Sequence, residues 1–201
     1  CAAGAQAVGE AARLIRDGKA DAMLAGGCES ALSYVGFLGF ILLTALAEKY
    51  ESPERASRPF DRKRNGFVMS EGAGALVLEE LGHARARRAP ILGEVLGYGD
   101  SADAFRITDM HPKGLGAVLA MRRAIQDAGI APDEVEYINA HGTSTPKNDV
   151  TETAAIKEVF GGHARGVPVS SNKSMIGHTI GAAGAIEAIL TLEGMRRSEI
   201  L

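Results

Sequence analysis

The sequence of 201 residues contains no tryptophan, only two cysteines and few aromatic residues, at 5%. Cys1 and Cys28 are too few for a disulfide framework, and neither lies in a CxxC or Cys/His spacing typical of zinc ligands. No uncharged apolar run reaches the roughly 18 to 20 residues that a bilayer span needs. These absences favour a cytoplasmic protein without a membrane segment.

The charges of the sequence are nearly balanced. The 22 lysines and arginines face 25 aspartates and glutamates, which gives a net charge of −3. Because no global positive field would hold a polyanion, nucleic-acid binding is not expected. The apolar content of 46% and the length are sufficient to bury a core of one large or two small domains.

Glycine is abundant, at 25 of 201 residues, and occurs in short clusters between apolar runs. Such clusters are typical of tight turns and close backbone contacts in a packed core. Strand-like and helix-like segments alternate along the chain, which predicts an α/β fold. Strands are predicted at 22–25, 75–79, 91–97, 135–139 and 167–170, and helices at 3–17, 83–88, 114–129, 149–160 and 177–197. A turn is predicted at Gly26-Gly27, and a buried helix or lining segment at 33–47.

Three residues stand at positions where chemistry is expected. Cys1 opens the CAAG segment that leads into the predicted helix 3–17, which would place its thiol within the first turn, where unpaired backbone N–H groups and the helix dipole stabilise a thiolate. A nucleophilic cysteine and a buried structural cysteine both fit this position. His141 follows the predicted strand 135–139, and His178 lies in a second strand-to-helix passage. For each histidine a structural and a functional role remain open.

Metal and phosphate sites have weaker support. His141 and His178 lie 37 residues apart, without a paired carboxylate or cysteine at ligand spacing, so no metal is expected. No GxxxxGK[ST] motif occurs, and no GxGxxG motif opens a helix after a strand.

A series of motifs in a fixed order carries a resemblance to a known family. The motifs are CAAG at 1–4, AGG at 25–27, RPFD at 58–61, GFV at 66–68, EGAG at 71–74, HGTST at 141–145 and NKSMIGH at 172–178. Over essentially its whole length the chain resembles the elongating β-ketoacyl-acyl-carrier-protein synthases, condensing enzymes of the thiolase superfamily.

The resemblance implies a thiolase-like, layered α/β/α/β/α fold, of which this chain would contain a part. Residues 1–90 would form the later part of the N-terminal half, and residues 91–201 most of the C-terminal half. Since members of this family are longer, the chain is expected to be an internal part of a larger protein. The implied reaction is the decarboxylative Claisen condensation of a cysteine-bound acyl group with malonyl-carrier protein, in fatty-acid or polyketide elongation.

The resemblance also implies catalytic roles for individual residues. Cys1 would be the acylated nucleophile. His141 and His178 would hydrogen-bond the thioester carbonyl of the extender unit during decarboxylation and condensation. Lys173 would shape the electrostatics beside His178, and Glu187 would be a buried polar residue that orders the site.

Further positions correspond to substrate contacts in this family. Thr143 and Thr145 match threonines that contact the phosphopantetheine arm, and Phe40 matches an aromatic residue that borders the acyl pocket. The resemblance implies no resident cofactor or metal, because the substrates are carried on the phosphopantetheine of acyl carrier protein. That protein is the expected partner, and a homodimer is the expected assembly.

Other functions remain as alternatives. The chain could belong to a modular polyketide synthase, or to a thiolase-fold relative that does not condense, although such relatives typically lack the cysteine. A thiolase acting on coenzyme A would need a second catalytic cysteine in the later half, and none follows Cys28. An alternative from another functional class is an interaction module that has the same fold but does not catalyse a reaction.

Overall fold

The computed structural model describes residues 1–107 and 110–201 as a mixed α/β structure. The helices within these residues are α1 (Ala3–Arg16), α2 (Tyr34–Leu42), α3 (Leu81–Ala86), α4 (Leu115–Ala128), α5 (Pro146–Phe160), α6 (Lys173–Ile176) and α7 (Ala183–Arg197). The strands are β1 (Ala22–Glu29), β2 (Gly72–Glu79), β3 (Ile138–Asn139) and β4 (Val169–Ser170). Short 3-10 helices occur at Pro53–Arg55, Pro132–Glu134, Gly161–Arg165 and Ile180–Ala182.

Strands β1 and β2 form an antiparallel pair that is in register from Ala22–Glu79 to Glu29–Gly72. The turn predicted at Gly26-Gly27 is wrong, because β1 continues through both glycines. The partner strand is also rich in glycine, and a Cβ at Gly26 would lie 2.1 Å from the carbonyl oxygen of Gly74. These glycines therefore allow two backbones to approach closely, and they do not mark a chain reversal.

Strands β3 and β4 form a parallel pair of only two residues each, with Ile138 opposite Val169. They are shorter than predicted, but the segments that follow them carry the HGTST and NKSMIGH motifs. The predicted strand 91–97 is wrong, since these seven residues, all of them described, form neither strand nor helix. The segment instead runs beside α4, where a Cβ at Gly97 would lie 2.4 Å from the carbonyl oxygen of Ala124.

Helix α1 packs against β1 and against α7. A Cβ at Gly4 would lie 2.7 Å from the backbone nitrogen of Ala185, and a Cβ at Gly184 would lie 2.5 Å from that of Ala5. The close backbone contacts expected from the glycine clusters thus occur between these two helices. This contact holds the start of α1 against the start of α7.

The long helix predicted over 177–197 begins later than expected. Helix α6 ends at Gly177, whose φ of +71° is in the left-handed region that favours glycine. His178 follows in an extended connection that forms a parallel bridge with Met69, and α7 begins only at Ala183. The histidine is therefore held by backbone pairing outside the helices.

Helix α2 begins after Ser33, whose hydroxyl accepts a hydrogen bond from the Gly36 N–H at 3.2 Å. The burial predicted for this segment is wrong, because every residue of α2 is exposed or half-buried, and Tyr34 and Leu42 are 84% and 75% exposed.

Among the described residues, no helix is long and apolar enough to cross a membrane. The division at residue 90 falls between α3 and α4 and stays a prediction.

Candidate active site

Cys1 is exposed and lies one residue before Ala2, the N-cap of α1. It therefore lies just before the first turn and not within it. Residues 3–6, all described, carry no acidic side chain, so no negative charge of this turn opposes the positive end of the helix dipole. Among the described residues the Cys1 side chain is exposed, which leaves the thiol accessible to an electrophile.

His141 follows β3 in a turn whose backbone is hydrogen-bonded to both carboxylate oxygens of Glu152 in α5. One carboxylate oxygen of Glu152 accepts the His141 N–H at 2.7 Å, and the other accepts the Gly142 N–H at 2.8 Å. The side-chain amide of Asn148 donates to the second oxygen at 3.1 Å. Charge-assisted hydrogen bonds of this kind are stronger than neutral ones, so the backbone that carries the imidazole is fixed to α5.

His178 is 3% exposed and is held by the residues around Met69. Its backbone N–H donates to the Val68 carbonyl at 2.7 Å, and its carbonyl accepts the Ser70 N–H at 3.1 Å. The imidazole packs against the ring of Phe67 in an edge-to-face arrangement, with ring centroids 5.2 Å apart. Nδ1 of His178 makes no hydrogen bond to any of the described residues, so ring packing and the backbone set the orientation of the imidazole.

The fold brings Cys1, His141 and His178 together. One potential ligand atom from each of the three side chains lies within 4.8 Å of the other two. The two imidazole rings are 5.3 Å apart, with an interplanar angle of 83°. Residues separated by up to 177 positions thus form one cluster that contains a thiol and two imidazoles.

Both imidazoles are kept neutral by their surroundings. Burial, followed by the positive charge of Lys173, lowers the pKa of His178 from 6.5 to about 3. The same two causes hold the pKa of His141 well below 6.5. At neutral pH each ring therefore carries one N–H donor and one lone pair.

Lys173 and Glu187 form a buried ion pair beside the histidines. The Lys173 side chain is 1% exposed, and its ammonium group donates to Oε1 of Glu187, which is 14% exposed. Burial raises the pKa of Glu187, and the charge and hydrogen bond of Lys173 act in the opposite direction. The pair places a fixed positive charge where it acts on both imidazoles.

Thr143, Thr145 and Phe40 also lie near the cluster in the fold. The hydroxyls of Thr143 and Thr145 are 2.9 Å apart, and that of Thr145 caps α5 by accepting the Asn148 N–H at 3.3 Å. Phe40 is half-buried, and its ring packs edge-to-face on Phe67 at 5.3 Å. Phe40 is therefore linked to His178 through the ring of Phe67, while its predicted contact with an acyl group stays a prediction.

Sequence reasoning missed two residues that position the cluster. Glu152 lies eleven residues after His141 in a helix with other charged residues, and its residue type alone does not distinguish it from an exposed glutamate. Phe67 belongs to the GFV motif, but its contact with His178 depends on a bridge between residues 109 positions apart. A carboxylate in the second turn of a helix that follows a histidine-glycine turn is the local signal that could have identified Glu152.

Comparisons with known proteins identify the family to which the chain belongs. Residues 1–84 match the family described as beta-ketoacyl synthase, N-terminal domain, and residues 92–201 match beta-ketoacyl synthase, C-terminal domain. The chain is 50% identical over 200 residues to the 3-oxoacyl-[acyl-carrier-protein] synthase 2 of Synechocystis sp., covering 100% of this chain and 48% of that protein. The chain spans about half the length of the curated relatives it matches.

Solved structures show the same fold. A beta-ketoacyl synthase from Burkholderia phymatum superposes with a TM-score of 0.90 at 44% identity, over 98% of this chain and 47% of that one. A type II polyketide acyl-carrier protein in complex with its ketosynthase gives a TM-score of 0.94 at 42% identity, over 96% of this chain and 48% of that one. The described residues therefore have the thiolase-like fold of ketosynthases, in the part that this chain spans.

Proposed function

Because the chain belongs to the β-ketoacyl synthase family, we propose that the protein catalyses the condensation step of fatty-acid chain elongation, as a 3-oxoacyl-[acyl-carrier-protein] synthase. The observation that carries this proposal is the approach of Cys1, His141 and His178 to within 4.8 Å. A thiol and two neutral imidazoles are the groups that the reaction needs.

The first half-reaction is acyl transfer to Cys1. The sulfur attacks the carbonyl carbon of an acyl thioester, and the bond from that carbon to the carrier's sulfur breaks. The carrier leaves as a thiolate and takes up a proton from solvent, which balances the proton that Cys1 loses in forming its thiolate, and the acyl group remains on Cys1 as a new thioester. The accessible position before α1 supports this role, because a thiolate at a helix N-terminus needs no adjacent base.

The second half-reaction is decarboxylation of a malonyl thioester and carbon–carbon bond formation. The bond to the carboxylate breaks, carbon dioxide leaves, and the electron pair forms an enolate whose oxygen accepts hydrogen bonds from the two imidazoles. The enolate carbon then attacks the acyl carbonyl on Cys1, and the Cys1 thiolate is released. Neutral donors suit this step, since they stabilise the developing charge without taking a full proton.

We also propose acyl carrier protein as the partner, cytoplasmic location and a homodimeric assembly. One of the similar solved structures is a ketosynthase in complex with its acyl-carrier protein, which supports the choice of partner. Thr143 and Thr145 would contact the phosphopantetheine arm, Phe40 would border the acyl chain, and no resident cofactor is required.

Polyketide elongation is the second candidate. It is favoured by the 42% identical type II polyketide ketosynthase, whose structure holds a hexaketide. The 50% identity to 3-oxoacyl-[acyl-carrier-protein] synthase 2 favours fatty-acid elongation. The two substrates share the same chemistry at Cys1, so acyl selectivity in a competition between saturated and polyketide thioesters separates them.

The proposal is tested by assaying the two half-reactions separately. Acyl-Cys1 is detected by mass spectrometry after incubation with acyl-carrier protein, and release of carbon dioxide from malonyl-carrier protein is followed in parallel. His141→Ala and His178→Ala should each lower decarboxylation by about 100-fold or more, as loss of an oxyanion donor does, and affect acylation far less. Cys28→Ala is the matched control for Cys1→Ala, and it should retain both half-reactions.

Acylation mapped to Cys28, with Cys1 left free, would contradict the assignment of the nucleophile. Equal losses of acylation and decarboxylation in both histidine variants would contradict the division of roles.

A further inference from the structure

We propose that Cys1, His141 and His178 form a binding site for Zn²⁺, through which a thiophilic divalent cation reversibly blocks the nucleophile. The proposal starts from the side-chain types. One thiol and two imidazoles provide one sulfur and two nitrogen ligands, the donor set that zinc prefers and that Mg²⁺ and Ca²⁺ do not. Of the described residues, this is the one group of three or more metal-ligating side chains that lie close enough to hold an ion.

The distances come close to those of a zinc centre. At Zn–S and Zn–N bond lengths of about 2.3 and 2.0 Å, two ligand atoms on one tetrahedral ion lie roughly 3.3 to 3.6 Å apart. In this structure the three atoms lie within 4.8 Å of one another, so the farthest pair would have to approach by up to roughly 1.2 to 1.5 Å. A change of side-chain rotamer within the cluster would supply a movement of this size.

The histidines are already arranged as ligands. His178 is 3% exposed, yet its Nδ1 makes no hydrogen bond to the residues that the structure describes. A buried polar atom without a partner is costly, and a metal ion or a substrate group would satisfy the imidazole. The Glu152 carboxylate fixes the backbone of His141, so little ordering is needed when an ion binds.

The electrostatic surroundings permit a cation. The positive charge of Lys173 acts on both imidazoles and would weaken the binding of a cation, and its ion pair with Glu187 offsets that charge only in part. Binding would replace the proton of the Cys1 thiol by the zinc ion, which forms a Zn–S bond and releases one proton to solvent. A fourth position would be left for water, as in zinc sites with three protein ligands.

The proposal concerns the site of the proposed condensation, but its test does not need that reaction. Cys1 and Cys28 are both exposed, so each reacts with iodoacetamide, and peptide mass spectrometry follows their alkylation rates in one sample. Zn²⁺ should slow the alkylation of Cys1 by about tenfold or more, with the rate at Cys28 unchanged and the effect reversed by a chelator. Mg²⁺ at the same concentration should protect neither cysteine.

The histidine variants distinguish a chelate from simple binding of zinc to a thiol. His141→Ala and His178→Ala should each reduce the protection of Cys1 by about tenfold, measured as the ratio of rates with and without Zn²⁺ in the same variant. Co²⁺ provides a second readout, because a thiolate ligand gives a charge-transfer absorption that Cys1→Ser should abolish and Cys28→Ser should retain. Protection that survives in both histidine variants, or equal protection of Cys28, would overturn the proposal. A failure of the condensation assay would leave these results unaffected.

Discussion

At the scale of single residues, the candidate site depends on groups held in states that they would not have in water. His141 and His178 are buried beside Lys173, and both effects favour the neutral imidazole. Lys173 is also buried, and its positive charge is compensated by the ion pair with Glu187. The two neutral imidazoles therefore remain available as hydrogen-bond donors, and keeping them neutral lowers the free energy of unfolding at acidic pH.

The low pKa of His178 predicts a loss of stability in acid. The unfolded chain binds a proton at His178 below its usual pKa of 6.5, whereas the folded chain does so only near 3. The free energy of unfolding is therefore unaffected by this group above pH 6.5 and falls as the pH decreases from there towards 3, by up to about 1.4 kcal/mol per pH unit. Denaturant unfolding between pH 7 and 5 measures the slope, which should be shallower in His178→Asn. Identical slopes in both proteins would show that His178 is not held neutral.

The ion pair of Lys173 and Glu187 predicts strong coupling between two substitutions. Lys173→Met leaves a buried carboxylate without its partner and should lower the free energy of unfolding by about 3 kcal/mol or more. Glu187→Leu leaves a buried ammonium group and should cost a comparable amount, while the double variant should recover most of the loss. Urea unfolding of the four proteins gives the coupling energy. Simply additive losses would contradict an interacting pair, and the exposed pair Arg122–Glu158 serves as a control in which little coupling is expected.

At the scale of elements, the site is assembled from the ends of strands and the starts of helices. His141 follows β3, Lys173 follows β4 and starts α6, and Cys1 precedes α1. Close backbone contacts between α1 and α7 fix the position of the start of α1, which follows Cys1, since Gly4 and Gly184 leave no room for a Cβ. Helix α5 contributes through Glu152, which ties its second turn to the backbone of His141.

Glu152 is predicted to be a positioning residue for His141. In Glu152→Gln only one side-chain oxygen remains as an acceptor, and the new amide donor faces the Gly142 N–H or the Asn148 amide. Decarboxylation should fall by about tenfold or more because the imidazole is displaced, whereas acylation of Cys1 should change little. Glu158→Gln, on the exposed face of the same helix, is the matched control and should leave both half-reactions unchanged. An equal loss in the two half-reactions would indicate general destabilisation and exclude a positioning role.

The sequence predicted the elements that depend on local patterns and missed those that depend on distant partners. Helices α1 and α4 lie within about one residue of the predicted bounds, since both have a helical apolar period and a glycine within two residues of their last residue. The apolar segment 91–97 was expected to be a strand, but a strand needs a neighbouring backbone, and this segment runs beside α4. His141 and His178 were identified from motifs, whereas their contact with Cys1 follows only from the tertiary fold.

At the scale of the whole molecule, apolar surface is distributed unevenly. The α1, β1 and α7 layer buries small residues such as Ala11, Ala12 and Ala185, while α2 carries exposed Tyr34 and Leu42. Other large apolar side chains around α2 are also exposed, namely Leu32, Val35, Phe37, Leu38, Ile41 and Leu43. A contiguous patch of this kind is typical of an interface that another surface covers. The proposed homodimer would provide such a cover.

The exposed face of α2 predicts that the 201-residue chain associates with itself. Val35 and Leu42 are 76% and 75% exposed and lie seven residues apart, which places them on one face of the helix. Burying apolar surface gains roughly 25 cal/mol per Å², so pairing of two such faces should be favourable. Size-exclusion chromatography with light scattering should show a dimer or a larger species, and the double variant Val35→Lys/Leu42→Lys should shift it towards the monomer. Val150→Lys, at an apolar residue of α5 that is 62% exposed, should leave the distribution unchanged. A monodisperse monomer of the unaltered chain would contradict the role assigned to α2.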